Sequence, residues 1–263
     1  MLIVLHIHMF LPQFTSNVGK IPDSDAKNAK PRPDGSPEGM KKRLIEMGVS
    51  KAVVQHIAPN KGESKHINQY ARELAEGGFF YQYGAFHPDD SVDDLKELKE
   101  SGVFYGIKLH PYIQRFEIDD KKMYPAYEEL SSLNMPVLFH TGCDPFNDKL
   151  KNAFPEKILK IHQEFPNLTI IGAHLGALNM YDEAEKYLIG TDIYLDISDT
   201  VKFCGIEQYE RIIKKHNPDK ILFASDCPMG NPLEELEFLQ RLNLGSDLME
   251  KIMYKNAERL LGI

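Results

Sequence analysis

Short apolar runs rich in β-branched and aromatic residues recur along the chain, and each is followed by a stretch whose apolar positions return every three or four residues. Eight such runs stand out: LIVLHIH (2–8), KAVVQHI (51–57), FYQYGAF (80–86), FYGIKLH (104–110), PVLFHTG (136–142), LTIIGAH (168–174), IYLDISD (193–199) and ILFASD (221–226). Their near-continuous hydrophobicity suits parallel strands covered on both faces. The intervening segments carry helix signals of their own. Ser91 and Asp94 read as a capping pair before Leu95 and Leu98. Asn231, Pro232 and Glu234 supply a cap, an N1 proline and an N3 acid before Leu236 and Leu239. Ile158, Ile161 and Phe165 recur on one helical face. An α/β fold of the (β/α)8 TIM-barrel type is therefore predicted, since a doubly wound open sheet more usually has about five or six strands.

The length of 263 residues is that of one such barrel, roughly 250 residues, so residues 1–263 are expected to form a single domain. One connection departs from the pattern. Between the first strand and a helix expected to start near Ser36 and Pro37 lies a polar, proline-rich stretch, residues 11–35. On a barrel this is a βα loop on the face that carries active sites, and a lid and a tolerated insertion are equally good readings of it.

Composition narrows the function classes. A hydrophobic content of 42% with 27% charged residues is that of a globular domain, and no apolar run approaches the ~20 residues that cross a bilayer. No membrane association is expected. The opening MLIVLHIHMF has no basic residue ahead of its apolar stretch, so it reads as a first strand rather than a signal peptide, and a cytoplasmic location is expected. Cys143, Cys204 and Cys227 have neither disulfide-framework nor zinc-ribbon spacing and read as reduced thiols. The formal net charge of −8 repels phosphate backbones, which argues against a nucleic-acid partner. A small-molecule substrate is the expected partner; association into homo-oligomers is left open.

Chemistry concentrates at the C-terminal ends of the predicted strands, which converge on one mouth in a barrel. His6 and His8 are two apart, so strand alternation presents both imidazoles to the same side. His140 ends the fifth strand, His174 the sixth and Asp226 the eighth. Each alone reads as a buried, hydrogen-bonded polar residue. Together they form a set of histidines and a carboxylate suited to zinc, iron, manganese or nickel, with zinc the commonest choice for hydrolysis. Lys108 and His110 share parity on the fourth strand, and Tyr112 and Arg115 follow in its loop as candidate contacts to an anionic substrate. His87 lies after the third strand, where pocket lining and a solvent-facing loop are equal readings.

The phrases YGAFHP, GIKLHP, PVLFHTG, GAHLGA, LDISD, KILFASDCP and NAERLLGI, in this order over nearly the whole chain, resemble the amidohydrolase superfamily in its amidohydrolase-related (family 2) branch of TIM-barrel metal-dependent hydrolases. The resemblance implies that His6, His8, His140 and Asp226 hold the principal metal. It implies that His174 either joins a second metal or acts as an acid–base group. Lys108 would bridge two metals if its amine were carboxylated; as a plain cation, the favoured reading, it would bind a substrate carboxylate beside a single ion. Where many relatives carry an acid two positions before the first histidine, this chain has Val4, taken to lie on the same strand face as His6. That substitution leaves open what orients His6.

The expected activity is hydrolysis of a small carboxylated amide, lactone or ester, with Asp226 and His174 as the catalytic pair and Lys108, His110, Tyr112 and Arg115 as substrate contacts. The alternative, implied by the same branch, is non-oxidative decarboxylation of an aromatic or unsaturated acid on the same ligands.

Overall fold

In the computed structural model the described residues are 1–12, 36–143 and 151–263. Most of the long loop expected at residues 11–35 lies outside them, and its two readings with it.

Eight strands appear where the apolar runs place them: β1 (Ile3–Ile7), β2 (Lys51–Gln55), β3 (Phe80–Ala85), β4 (Phe104–Leu109), β5 (Val137–Phe139), β6 (Ile170–Gly172), β7 (Tyr194–Asp196) and β8 (Ile221–Leu222). They form one sheet in sequential order with every pairing parallel. The seam between β8 and β1 is bridged by the Leu5 N–H donating to Phe223 O at 2.8 Å, the His8 N–H to Cys227 O at 2.7 Å and the Asp226 N–H to His6 O at 2.9 Å. The sheet is thus drawn round into a nearly closed barrel, as predicted.

Helices alternate with the strands: α1 (Pro37–Glu46), α2 (Ser64–Leu74), α3 (Asp93–Glu100), α4 (Tyr124–Ser132), α5 (Pro155–Glu164), α6 (Tyr181–Tyr187), α7 (Ile206–Lys215) and α8 (Pro232–Gln240). Ser36 caps α1 by accepting the Gly39 N–H at 3.0 Å, and Asn231 caps α8 by accepting the Leu233 N–H at 3.0 Å. Each satisfies an otherwise orphaned donor at a helix start. The pair expected at α3 is only half formed. Ser91 Oγ accepts the Asp93 N–H at 3.3 Å, whereas Asp94 turns outward to Lys65 at 3.6 Å instead of closing a reciprocal cap.

Packing divides by strand parity. Ile3, Leu5, Val53, Tyr83, Leu138, Ile171, Tyr194 and Leu222 fill the barrel interior, while Val4, Ala52 and Val54 face outward to Met40 and Leu44 of α1. Burying each large aliphatic side chain stabilises by about 1.5–3 kcal/mol, so this interior forms a packed floor beneath the mouth. The β1–β2 register slips once: Val4 pairs with Ala52 but Ile7 with Val54, which places one extra residue on β1. The bulge corrects the expected parity. Val4 joins the outer layer, and His6, one residue past the inward-facing Leu5, is re-aimed to the mouth.

Candidate metal centre

His6 Nε2, His8 Nε2 and Asp226 Oδ1 meet at one point of the mouth. The two nitrogens are 3.1 Å apart, and Asp226 Oδ1 lies 3.2 Å from His6 and 3.1 Å from His8. One ligand atom from each lies within 4.8 Å of the others. The other nitrogen of each ring faces an acceptor: His6 Nδ1 is 2.9 Å from Asp196 Oδ2, and His8 Nδ1 is 2.9 Å from the Gln55 carbonyl. A carbonyl and an ionised carboxylate only accept, so both Nδ1 atoms carry the proton and both Nε2 atoms present lone pairs. Two imidazole lone pairs and a carboxylate oxygen at these separations repel one another unless a cation lies among them, so the donor set fits a divalent transition metal.

His140 and His174, expected among the ligands, lie outside that cluster: the His174 ring centroid is 5.7 Å from that of His6 and 4.9 Å from that of His140. His174 Nδ1 donates to the Ser198 carbonyl at 2.8 Å, which leaves its Nε2 as an acceptor for His140 Nδ1 at 3.2 Å. His140 Nε2 is then a buried lone pair with no partner among the described residues. An orphaned acceptor of this kind is a further donor for a cation. His174 (φ 58°) and Asp226 (φ 58°) both adopt left-handed backbone conformations. Such residues persist only where their surroundings over-determine them. The His174 N–H is taken by Asp196 Oδ1 at 3.0 Å, and the Asp226 carbonyl accepts the Met229 N–H at 2.9 Å and the Gly230 N–H at 3.2 Å.

Burial governs the electrostatics. Desolvation, reinforced by the Lys108 ammonium, lowers the His6 pKa to about 4, and desolvation with neighbouring imidazoles holds His110 and His140 well below the usual histidine range. Neutral imidazoles are the form a metal requires. For Asp196, burial opposes the charge but His6, His174 and Ser198 outweigh it and bring the pKa to about 2. For Asp226, burial is likewise outweighed by His6 and His8, and the carboxyl is held far below the carboxylate range.

The substrate-contact candidates separate. Lys108 is buried with Nζ 3.3 Å from His6 Nε2, and desolvation lowers its pKa to about 8 against the pull of Asp226 and Asp196. His110 stacks on His140 with centroids 4.2 Å apart and planes 10° from parallel. Tyr112 stands edge-on to His140 at 5.8 Å and donates its hydroxyl to the Gly142 carbonyl, so the phenol braces the end of β5. Gly142 has φ 90°, and a Cβ there would meet Leu178 N at 2.1 Å, which explains why the residue after Thr141 carries no side chain. Arg115 is exposed. It lines a cleft of about 450 Å³ with Phe116, Glu117, Asp119, Asp120 and Asn152, a lining that includes none of the histidines. His87 is buried in the turn after β3, where its Nδ1 accepts the Asp89 N–H at 3.2 Å. Cys227 points into the outer core, its Sγ 3.8 Å from Met40 Sδ, and no disulfide links the three cysteines.

Asp196 is the group that the sequence reading passed over. It ends β7 within LDISD, and the rule that selected His140 and Asp226, a polar residue closing an apolar run, applies to it equally. It also answers the question that Val4 raised, because the carboxylate that orients His6 comes from the seventh strand.

His56, at the end of β2, is buried with Nε2 2.8 Å from Gln82 Oε1, and desolvation lowers its pKa to about 4 against the pull of that bond. The folded value lies below the unfolded value of about 6.5, so between the two the unfolded chain binds the extra proton. Its contribution is therefore complete above pH 6.5 and is lost as pH falls toward 4, by the order of 3 kcal/mol. Thermal unfolding of the metal-free chain is expected to shift downward across that window, with a shallower slope in His56→Gln. Equal slopes would remove His56 from the account.

Comparison with known proteins bears on the fold and the family. Over 95 residues the chain is 28% identical to a dihydroorotase from Pseudomonas putida (strain GB-1), a match covering 32% of this chain and 27% of that protein. The chain thus spans about a quarter of that curated relative. Among solved structures, 5-carboxyvanillate decarboxylase from Sphingomonas paucimobilis is 14% identical with a TM-score of 0.75, covering 100% of this chain and 99% of that one. A probable 2-pyrone-4,6-dicarboxylic acid hydrolase from Acinetobacter baumannii is 15% identical with a TM-score of 0.68, over 100% and 99% of the two chains. A dihydroxybenzoic acid decarboxylase from Polaromonas sp. JS666, with bound manganese, is 16% identical with a TM-score of 0.72, over 99% and 96%. At these identities the structures show a shared barrel. No helix among the described residues is long and apolar enough to cross a membrane. The family model for Amidohydrolase matches residues 3–263, from the first residue of β1 to the last of the chain, and so this protein is an enzyme of the amidohydrolase family.

Proposed function

We propose that the protein is a metal-dependent hydrolase of a small carboxylated amide, lactone or ester, acting with one zinc ion. The observation that carries this reading is the meeting of the His6, His8 and Asp226 lone pairs at 3.1–3.2 Å. These three would hold the ion, with the orphaned Nε2 of His140 as the fourth donor. When bound, a zinc ion supplies Lewis acidity, lowering the pKa of water toward about 7 and polarising a carbonyl. Asp226, the member of the group most open to the mouth at 13% side-chain exposure, takes the proton as the water oxygen bonds to the carbonyl carbon. It returns that proton to the nitrogen or oxygen that leaves, so the bond to the leaving group breaks without a net change in the protein. His174, whose Nδ1 proton is tied to Ser198, has only Nε2 to offer as a base, and it does so once that atom exchanges its contact with His140 Nδ1 for the substrate's proton.

Lys108 is proposed as a free amine that binds a substrate carboxylate. A carboxylated substrate also suits the solved neighbours, one named for 5-carboxyvanillate and one for a pyrone dicarboxylic acid. Lys108→Ala is expected to raise KM for a carboxylated substrate by about tenfold or more, the loss of one charge-assisted contact of about 1.5–3 kcal/mol. Short carboxylic acids should not restore it. Restoration by acetate or propionate, or a carboxylated side chain in a metal-loaded crystal, would show Lys108 to be a bridging ligand.

A second reading, non-oxidative decarboxylation of an aromatic or unsaturated acid, is favoured by the flat wall that stacked His110 and His140 make beside Tyr112, which matches a planar ring. A panel of lactones, cyclic amides and hydroxybenzoates, assayed with the zinc- and manganese-loaded protein, separates the two. Ring opening without carbon dioxide supports hydrolysis. Carbon dioxide released from a hydroxybenzoate replaces it with decarboxylation.

A further inference from the structure

One short segment of β7 and the turn after it touches two of the site histidines through different atoms. Asp196 Oδ2 takes His6 Nδ1 at 2.9 Å, while its Oδ1 accepts the His174 N–H at 3.0 Å, the Ser198 N–H at 3.0 Å and the Ser198 hydroxyl at 2.5 Å. The Ser198 carbonyl takes His174 Nδ1 at 2.8 Å. Asp196 and Ser198 are both fully buried, so water cannot replace either acceptor.

We propose that Asp196 and Ser198 are the positioning residues that hold His6 and His174 in their Nδ1–H tautomers, so that the His6 Nε2 lone pair faces the mouth and the His174 Nε2 lone pair faces His140 Nδ1, 3.2 Å away. The inference rests on the reading of that mouth as a metal centre, but its immediate content is a proton position that exists without metal. An imidazole with Nε2–H cannot ligate through that nitrogen. Its proton would instead point at His8 Nε2, 3.1 Å away, and at Asp226 Oδ1, 3.2 Å away, occupying the place of a cation. The Ser198 carbonyl belongs to the backbone and survives any side-chain change, so the His174 tautomer is the more robust of the two. The His6 tautomer depends on side chains alone: Asp196 Oδ2 at 2.9 Å and, farther off, Ser198 Oγ at 3.2 Å.

Asp196→Asn tests the nearer of these two contacts and sets a donor where its acceptor was. With three donors still converging on the oxygen at Oδ1, the amide keeps its carbonyl there and turns its NH2 toward His6 Nδ1. Two donors cannot bond, so the ring must move its proton to Nε2. The test uses the metal-free full chain labelled with 15N-histidine, in which long-range proton–nitrogen correlation spectra distinguish the tautomers. His6 is expected as Nδ1–H in the wild type and as Nε2–H in Asp196→Asn, with His174 unchanged in both. Zinc affinity, read by competition with a chromogenic chelator, is expected to fall about 10- to 100-fold in the variant.

A merely structural role would lower the unfolding temperature without moving the His6 proton. A wild-type spectrum showing His6 as Nε2–H overturns the proposal, and it does so even if the variant fails to fold. An Asp196→Asn chain that keeps Nδ1–H on His6, or binds zinc within twofold of the wild type, overturns it as well. If the wild type shows the expected tautomers but takes up no zinc, the metal reading fails while the assignment to Asp196 and Ser198 stands.

Discussion

Asp226→Asn is expected to lower turnover by about 10²- to 10⁴-fold on whichever substrate the wild type hydrolyses, while most of the metal stays bound. The asparagine carbonyl keeps an oxygen near the position of Oδ1, 3.1 Å from His8 Nε2 and 3.2 Å from His6 Nε2, so a donor to the cation survives. An amide is not protonated near neutral pH, so the proton carrier does not. The low intrinsic basicity of this carboxylate, held down by two imidazoles, sharpens the prediction: Asp226 can accept a proton only while the attacking water is itself made acidic. His140→Asn should differ by losing metal first, since its role is coordination through an otherwise orphaned nitrogen. The measurement is turnover at matched metal content from elemental analysis. Normal turnover of Asp226→Asn at full occupancy would move the base to His174, whose Nε2 carries no proton.

The second large effect is on stability. Zinc at 1,000 times its Kd should stabilise the folded chain by about 4 kcal/mol, because only the folded state brings β1 and β8 together. For a chain of this size each kcal/mol shifts the unfolding temperature by roughly 2–4 °C, so a rise of about 8–16 °C is expected. His8→Ala should abolish most of that rise, since it removes one of the three donors that converge at the mouth and leaves only His6 and Asp226 of that cluster beside His140, while Arg115→Ala should leave it intact. The purified protein should also carry at least one transition-metal ion per chain. A chain that stays metal-free, with an unmoved unfolding temperature, after incubation with zinc, manganese, iron and nickel salts would end the metal reading and the hydrolytic mechanism built on it.

Both predictions draw on residues visible before any fold was known, and the boundary of that visibility has a physical cause. Strand existence was legible because a parallel strand is covered on both faces, so LIVLHIH and IYLDISD announce themselves by composition alone. Helix starts were legible where one side chain does the capping, as at Ser36 and Asn231. They were less so at Ser91, where the proposed partner Asp94 found Lys65 instead. The metal-ligand candidates were legible because each closes an apolar run, a rule about chain position that needs no neighbour.

What the rule could not supply was facing and partnership. The bulge between Val4 and Ile7 reverses side-chain parity on β1, and a bulge is set by the register of the adjoining strand rather than by local composition. The role of Asp196 depends on a contact spanning 190 positions of sequence, and that of Tyr112 on the Gly142 carbonyl. Arg115 looked equivalent to Tyr112 in a linear reading, yet the turn with φ 57° places it in an outer cleft. The barrel and the order of its strands follow from hydrophobic period, and the candidate ligands from residue type and chain position, so all of these could be read along the chain. Which nitrogen of each histidine is available could not be read there, because a tautomer is chosen by the acceptor on the far side of the ring, and that acceptor is delivered by a different strand.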